Sequence, residues 1–381
     1  MSDHFHAVLI IVLRLFPQMA ISKAALGRAL NEKSFQVEEM RRECNKLCSW
    51  DRDTFPGSQP VSLTRKNFLS ISRYPYVVCE KSDGERHMLL VQKKDCFLVD
   101  RKFMFYKVNL PTYFDDSSET TLLDGELIID DGKVRYLIYD SVVVFGENVR
   151  ELPLLHRLER VQSKIISSRV GISGSKDSFP LFVKDFFDVK HSRYVVNLSR
   201  RLPHESDGLI FTPARDPYKP GTCHKLLKWK PAELNTVDFV LELVMGSTAD
   251  QFHGKLLSAK GGIQGFNGLW LAREGPMWSW LCENTAAANG KVVECGWDAT
   301  LSTFIPSKVT RYTEEGEWVT KGGWVLHRIR DDRTTPNDVN VVEKVKASIA
   351  DGISLDDVEA ALSRVASLVK VTSSSKRQKL S

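Results

Sequence analysis

The chain has 381 residues, 53 Lys and Arg against 48 Asp and Glu, and 42% hydrophobic residues, a globular balance that excludes disordered, collagen-like and disulfide-stapled proteins. Its seven cysteines are odd in number and scattered, with no C-x-x-C pair, so a zinc or redox pair is not expected and a reducing compartment fits. At roughly 100–200 residues per domain the length suggests two or three domains, and the net charge of +5 permits an anionic partner such as a nucleotide or RNA.

The first apolar run, Ala7–Phe16, is far shorter than the roughly 20 residues of a spanning helix and contains Arg14, so it does not cross a membrane. With Asp3 and no Lys or Arg before it, it also lacks the charged start of a signal peptide. A helix packed on the body of the protein is expected instead, continuing through Ile21–Glu43, so that residues 1–45 form a helical extension. From Phe68 to Tyr106, the runs YPYVVCE, RHMLLVQ and CFLVD read as strands between polar turns. TLLDGELIID followed by DGKVRYLIYDSVVVF reads as a hairpin, because Asp131-Gly132 suits the positive φ angles of a tight turn. Leu154, Leu155, Leu158, Val161 and Ile165 share one helical face, and Ser167–Ser178 is a Ser/Gly-rich connector. Strands resume around Gly208–Pro213 and Thr236–Val244. KVVECGWD and GGWVLHRIR then fit a separate small β-barrel. A last helix is expected over Asp356–Lys370, where Val358, Leu362, Val365 and Leu368 are in register for a buried face. Residues 371–381 are a polar, basic tail with the composition of disorder.

Chemistry concentrates at strand ends. In Glu80-Lys81-Ser82-Asp83-Gly84-Glu85-Arg86, Lys81 ends a strand and Asp83-Gly84 makes the turn. A charged hairpin loop would look the same, so Lys81 carries weight only if other basic groups recur downstream, since neighbouring cations and desolvation make a lysine nucleophilic. They do recur. In Leu226-Leu227-Lys228-Trp229-Lys230-Pro231 both lysines share one face of a strand. Two carboxylate strands accompany them, Leu123-Asp124-Gly125-Glu126-Leu127 and Ser206-Asp207-Gly208-Leu209-Ile210-Phe211. These supply acidic groups for a divalent metal or a ribose, against lysines for a phosphate.

In order and spacing these segments resemble the covalent nucleotidyltransferases, the family of mRNA capping guanylyltransferases and ATP-dependent polynucleotide ligases, over about residues 55–340. Lys81-x-Asp83-Gly84-x-Arg86 resembles the motif whose lysine forms the nucleotide adduct. Asp124-Gly125-Glu126, Tyr136-Leu137-Ile138-Tyr139-Asp140, Asp207-Gly208-Leu209-Ile210-Phe211 and Lys228-Trp229-Lys230-Pro231 resemble the motifs that follow it, and Trp324 with Arg328-Ile329-Arg330-Asp331-Asp332-Arg333 resembles the last. Pro56-Gly57-Ser58-Gln59-Pro60-Val61-Ser62-Leu63, Asn235-Thr236-Val237-Asp238-Phe239, Val293-Glu294-Cys295 and the Lys-Trp-Lys-Pro form favour capping enzymes over ligases. Arg333 departs from the family's usual Lys, and a guanidinium is not a point-charge ammonium.

The resemblance implies an α+β fold, with a nucleotidyltransferase domain of antiparallel sheets and flanking helices over residues 46–235. An OB-fold barrel would follow over 236–340 and a helical segment over 341–370. It implies that Lys81 takes GMP from GTP and passes it to the 5′-diphosphate end of nascent mRNA, with Mg²⁺ or Mn²⁺ as cofactor. Lys228 and Lys230 would neutralise the α-phosphate, Arg86 and Glu126 hold the ribose, and Asp207, with Glu126 as second candidate, hold the metal. Tyr139 and Ile210 would sandwich the guanine, Arg101 reach the triphosphate, and Arg328, Arg330, Asp332 and Arg333 close over the departing pyrophosphate. The alternatives are an ATP-dependent ligase and a non-catalytic module binding RNA or the polymerase tail; the latter would have lost Lys81 or a Lys-Trp-Lys-Pro lysine, and both are present. No His-Cys-x5-Arg phosphatase loop and no methyltransferase Gly-rich loop is found, which implies a separate RNA 5′-triphosphatase as partner, with the phosphorylated RNA polymerase II tail as a further one and no membrane. Lys376-Arg377-Gln378-Lys379 is a candidate import signal for a nuclear location.

Overall fold

The computed structural model describes residue 21 and residues 27–114, 118–167, 176–245, 252–309 and 314–362. The apolar run at 7–16, most of the Ser/Gly-rich connector and the basic tail lie outside the described residues. By its contacts the chain forms two compact units. Among the described residues, one holds positions up to Lys230 together with those from Ser354 onward, and the other runs from Pro231 to Ile353.

The first unit is built on two sheets. Its strands, in chain order, are β1 (Arg28–Ala29), β2 (Gln59–Ser62), β3 (Tyr76–Ser82), β4 (Glu85–Gln92), β5 (Asp95–Val99), β6 (Phe105–Val108), β7 (Thr121–Asp130), β8 (Lys133–Val144), β9 (Glu147–Asn148), β10 (Leu181–Val183), β11 (Phe187–Asp188), β12 (Ser206–Pro213) and β13 (Thr222–Trp229). One sheet has the order β1-β6-β5-β4-β7-β8-β10, with β9 beside β8, and the other β11-β3-β12-β13-β2. Most pairs are antiparallel, as expected, but β8 with β10 and β13 with β2 run parallel. Strand β4 shows why the first sheet is central. Leu89 and Val91 enter one hydrophobic cluster with Leu98, Leu123 and Ile138, while Met88 and Leu90 enter another with Phe97, Val99 and Leu122. Both faces of the sheet are therefore covered, which is why this strand reads as an unbroken apolar run rather than an alternating one.

The expected helix through Ile21–Glu43 is corrected. Arg28 and Ala29 pair with Lys107 and Tyr106 as β1, and helix begins only at Phe35, ending at Cys48. The break has a local cause. Asn31 accepts the Lys33 N–H through its side chain at 3.1 Å, and Ser34 caps the helix by accepting the Val37 N–H at 3.3 Å; such side-chain bonds favour turns and N-caps over helix interiors. The helix then buries Val37, Met40, Cys44 and Cys48, one stripe at helical spacing.

The second unit contains β14 (Thr236–Met245), β15 (Phe252–Lys260), β16 (Ile263–Trp270), β17 (Val292–Asp298), β18 (Ser302–Val309), β19 (Glu314–Thr320) and β20 (Gly323–Ile329). Five of them follow the order β16-β15-β14-β17-β20. A parallel bridge from Leu271, just past β16, to Trp324 of β20 brings the two ends of the sheet together, an arrangement that fits the expected OB-fold. Val237, Phe239, Leu241, Leu256, Val293, Cys295 and Trp324 fill it. Strands β18 and β19 form a separate hairpin. The helix Val339–Asp351 follows, capped by Asp338 and ended by Gly352 at φ +50°, a left-handed position that suits glycine. Residues 355–362 are helical and belong to the first unit; the remainder of the expected Asp356–Lys370 helix lies outside the described residues.

Candidate active site

Lys81 sits at the end of β3, and its Nζ donates to Asp207 Oδ1 at 2.6 Å. Asp207, on the neighbouring strand β12, is 4% exposed and its other oxygen pairs with Lys230 Nζ at 2.8 Å. One buried carboxylate thus holds two ammonium groups. Burial alone would raise the Asp207 pKa, but Lys230 and Lys81 outweigh it and hold the carboxyl below its ordinary value. Strands β12 and β13 approach closely here because position 208 is glycine: a Cβ there would lie 2.1 Å from the Trp229 carbonyl oxygen. Lys228 on β13 faces its neighbours differently. Burial lowers its pKa first, and the cations Lys81, Arg101 and Lys230 lower it further, the pattern of a lysine placed in a cationic cluster.

A cavity of about 150 Å³ is lined by Lys81, Arg86, Arg101, Glu126, Tyr139 and Ile210, among others. Six of the candidate nucleotide-binding residues therefore line one cavity, with Asp207 and Lys230 joined to it through Lys81. Arg86 and Glu126 are cross-strand partners on β4 and β7. Glu126 has its pKa raised by burial, against the pull of Lys184, Lys81, Arg86 and Arg101. Arg86 is more committed than the sequence suggests. Its Nε and Nη2 grip Asp124 at 3.0 and 2.6 Å and its Nη1 donates to the Ser58 carbonyl at 2.6 Å, leaving two of its five N–H groups for other partners.

Several cavity pairings escape sequence reasoning, and Lys184, Tyr218 and Arg157 escape it as residues. Asp124 is 0% exposed and accepts from Arg86, from the Tyr139 hydroxyl at 2.9 Å and from the Tyr218 hydroxyl at 2.6 Å. Lys184 is buried and pairs with Glu80 at 2.9 Å and Ser82 at 2.6 Å, on either side of Lys81 in sequence. For Glu80, burial would raise the pKa, but the His204 hydrogen bond and the Lys184 ammonium prevail and bring it to about 2. Arg157, 2% exposed, grips Asp140 with Nε and Nη2 at 2.6 and 2.8 Å. Lys184 stands in the apolar run LFVKDFF, where a lone cation is a signal worth noting. Tyr218 lies in a Pro/Gly-rich loop whose pattern carries none.

Arg328, Arg330, Asp332 and Arg333 belong to the second unit, where they form their own network. Arg328 pairs with Glu294 at 2.6 Å, and Arg330 with Asp238 at 3.1 Å and Asp332 at 2.7 Å. Arg333 also pairs with Asp238. The hydrogen bonds that Arg330 donates to the Asp332 carboxylate hold the Arg330 pKa above its ordinary value.

The mRNA capping enzyme catalytic-domain family matches residues 25–232, and the mRNA capping enzyme C-terminal-domain family matches 234–358. The chain belongs to the mRNA capping enzyme family. It is a nucleotidyltransferase of the mRNA guanylyltransferase type, with GTP as substrate. Capping relatives include the mRNA-capping enzyme subunit alpha of Schizosaccharomyces pombe, 32% identical over 367 residues that cover 84% of this chain and 83% of that protein. The mRNA-capping enzyme subunit alpha of Saccharomyces cerevisiae is 28% identical, covering 80% and 78%. The mouse mRNA-capping enzyme is 31% identical over 84% of this chain, which spans 51% of that protein's length. Among solved structures, a mycobacterial DNA ligase D complexed with ATP aligns over 73% of this chain and 96% of its own, at 15% identity and a TM-score of 0.40.

Among the described residues no group of three or more His, Cys, Asp or Glu side chains is placed to hold a metal. Asp207 already has both oxygens on lysines. This donor set does not suit an all-protein cage. It does suit Mg²⁺, which typically takes one or two carboxylates together with substrate phosphates.

Proposed function

We propose that this capping enzyme works through a covalent lysyl-N–GMP intermediate on Lys81, and that the GMP is then passed to the 5′-diphosphate end of RNA. The observation that carries this reading is the placement of Lys81 on the wall of the same cavity as Arg86, Glu126, Tyr139 and Ile210, with its amine beside the Asp207–Lys230 pair. In the first step a nitrogen–phosphorus bond forms between Lys81 Nζ and the α-phosphorus of GTP, the bond from that phosphorus to pyrophosphate breaks, and Nζ gives up its proton. In the second step the terminal oxygen of the RNA diphosphate attacks that phosphorus, the nitrogen–phosphorus bond breaks, and Nζ takes up a proton as it leaves as the amine.

Lys228 and Lys230 neutralise the α-phosphate, the two remaining N–H groups of Arg86 and the Glu126 carboxyl hold the ribose, and Tyr139 and Ile210 enclose the guanine, since aromatic faces stack on bases. Arg101 reaches the triphosphate. Asp207 and Glu126 would hold a divalent ion, Mg²⁺ or Mn²⁺, which when bound with the nucleotide neutralises phosphate charge. Arg328, Arg330, Asp332 and Arg333 serve the departure of pyrophosphate, in the first step only. The domain division at residues 46–235 and 236–340, a separate RNA 5′-triphosphatase, contact with the phosphorylated RNA polymerase II tail and a nuclear location complete the proposal.

The test is incubation of the full chain with α-labelled GTP or ATP and a divalent metal, followed by denaturing electrophoresis. Label from GTP that survives denaturation, is released by acid and is reversed by pyrophosphate is the expected result. Lys81→Met should abolish it in a chain that still folds. Label from ATP alone, or normal labelling of Lys81→Met, would sink the assignment.

A further inference from the structure

Four hydrogen bonds converge on the buried carboxylate of Asp124. Oδ1 accepts from Arg86 Nε at 3.0 Å and from the Tyr139 hydroxyl at 2.9 Å; Oδ2 accepts from Arg86 Nη2 and from the Tyr218 hydroxyl, both at 2.6 Å. The Tyr218 hydroxyl in turn accepts the Ser58 N–H at 2.9 Å, and Arg86 Nη1 donates to the Ser58 carbonyl at 2.6 Å. The contacts close a ring that runs from Ser58 through Tyr218, Asp124 and Arg86 back to Ser58. Burial, reinforced by Asp124, raises the Tyr218 pKa well above its ordinary value, so at neutral pH the phenol is a donor.

The loop that delivers Tyr218 is fixed on its own account. The Tyr218 N–H donates to the Arg150 carbonyl at 2.8 Å, and Arg157 Nη1 donates to the Asp216 carbonyl at 3.0 Å. Arg86 meanwhile lies over the rings of Phe55 at 5.4 Å and Tyr139 at 5.8 Å. Gly57 permits this packing: a Cβ there would come within 2.6 Å of Arg86 Nη2. Without the Tyr218 hydroxyl the ring opens at two points, because Asp124 loses one of four donors and the Ser58 N–H loses its acceptor.

We propose that Tyr218 is a positioning residue, whose hydroxyl closes the ring that holds Arg86 and Tyr139 in the geometry with which they meet GTP. This deepens the proposed function and rests on its reading of Arg86 and Tyr139 as nucleotide contacts. Tyr218 acts through Asp124, and no proton of its own moves in the reaction.

The experiment compares the full chain with Tyr218→Phe, Asp124→Asn and the double variant. It reads single-turnover adduct formation across GTP concentrations, GTP binding by intrinsic fluorescence, and melting temperature. Tyr218→Phe should raise half-saturating GTP about tenfold, the scale of a hydrogen bond to a charged group, and leave the rate at saturation within about twofold. The double variant should be no worse than Asp124→Asn alone, since coupled groups are not additive. Where Asp124→Asn does not fold, Tyr139→Phe takes its place, removing the other hydroxyl on the same carboxylate, and should likewise combine non-additively. Multiplying effects, or a lower melting temperature with unchanged GTP dependence, would overturn the proposal. A chain that binds GTP but takes no label refutes Lys81 as nucleophile, while the Tyr218 comparison is still read in binding. A chain that binds no GTP overturns both.

Discussion

Glu80→Gln tests the electrostatics behind the proposed nucleophile through stability rather than activity. Glu80 is 7% exposed and meets Lys184 Nζ at 2.9 Å, the Ser82 hydroxyl at 3.1 Å and His204 Nε2 at 3.5 Å. Its pKa falls from 4.5 to about 2 because His204 and Lys184 outweigh the cost of burial. At about 1.4 kcal/mol per unit, that shift is worth roughly 3 kcal/mol when the carboxylate is ionised. The folded pKa is depressed, so the stabilisation is fully present above the unfolded value of 4.5 and is lost as pH falls from there through about 2. Glutamine mimics the protonated acid. Melting curves of the full chain and the variant, recorded from pH 7 down to pH 3, should therefore differ most at neutral pH, by about 6–12 °C at roughly 2–4 °C per kcal/mol, and converge as pH falls. A difference that stays constant between pH 6 and pH 3, or a variant more stable at pH 7, would refute the reasoning.

Other expectations follow from the same geometry. Arg330→Ala should slow adduct formation from GTP on the order of 10²-fold, the scale of losing one donor aimed at developing charge, and slow transfer from preformed adduct much less; equal slowing of both half-reactions would refute a first-step role. Arg333→Lys should keep most of the first-step rate, because either side chain brings a cation to Asp238, and the same single-turnover assay decides it. Asp140→Asn strands Arg157, whose guanidinium is 2% exposed, and should destabilise the first unit by about 3–5 kcal/mol, the usual cost of breaking a buried pair from one side; urea unfolding followed by fluorescence measures it.

What the sequence made legible was chiefly local. The Asp131-Gly132 hairpin was readable because a tight turn needs positive φ at both positions, and the angles are +49° and +74°. Lys81, Lys228 and Asp207 could be picked out because each lies near a strand end in a short charged motif that also carries a Gly or Pro, Lys81 three residues before Gly84, Lys228 three before Pro231 and Asp207 beside Gly208. The missed residues depend on distant partners. Tyr218 reaches Asp124 across 94 residues and Lys184 reaches Ser82 across 102, and neither pairing leaves a trace in periodicity. Residues 28–33 failed for the opposite reason: their helical propensity is real, but pairing with β6 and the turn at Asn31 override it. The Arg86–Asp124 pair was half legible, since both residues stood in quoted motifs, yet nothing in their spacing indicated that they grip one another.

Asp124, which lines the cavity, and Asp207, which reaches it through Lys81, differ in what they allow to move. Asp124 is saturated by donors that hold one another, Arg86 by two N–H groups and each tyrosine by a hydroxyl, so its surroundings stay in place as a unit. Asp207 instead spreads its two oxygens over two separate ammonium groups, Lys81 and Lys230. With Lys81 as nucleophile, its nitrogen must leave this pair as a free amine before it can reach phosphorus. A buried carboxylate with a single partner would be stranded by that departure, at a cost of several kcal/mol. On that reading Asp207 keeps its Lys230 partner and is not left bare when Lys81 departs, which is how a buried carboxylate beside the proposed nucleophile avoids that cost.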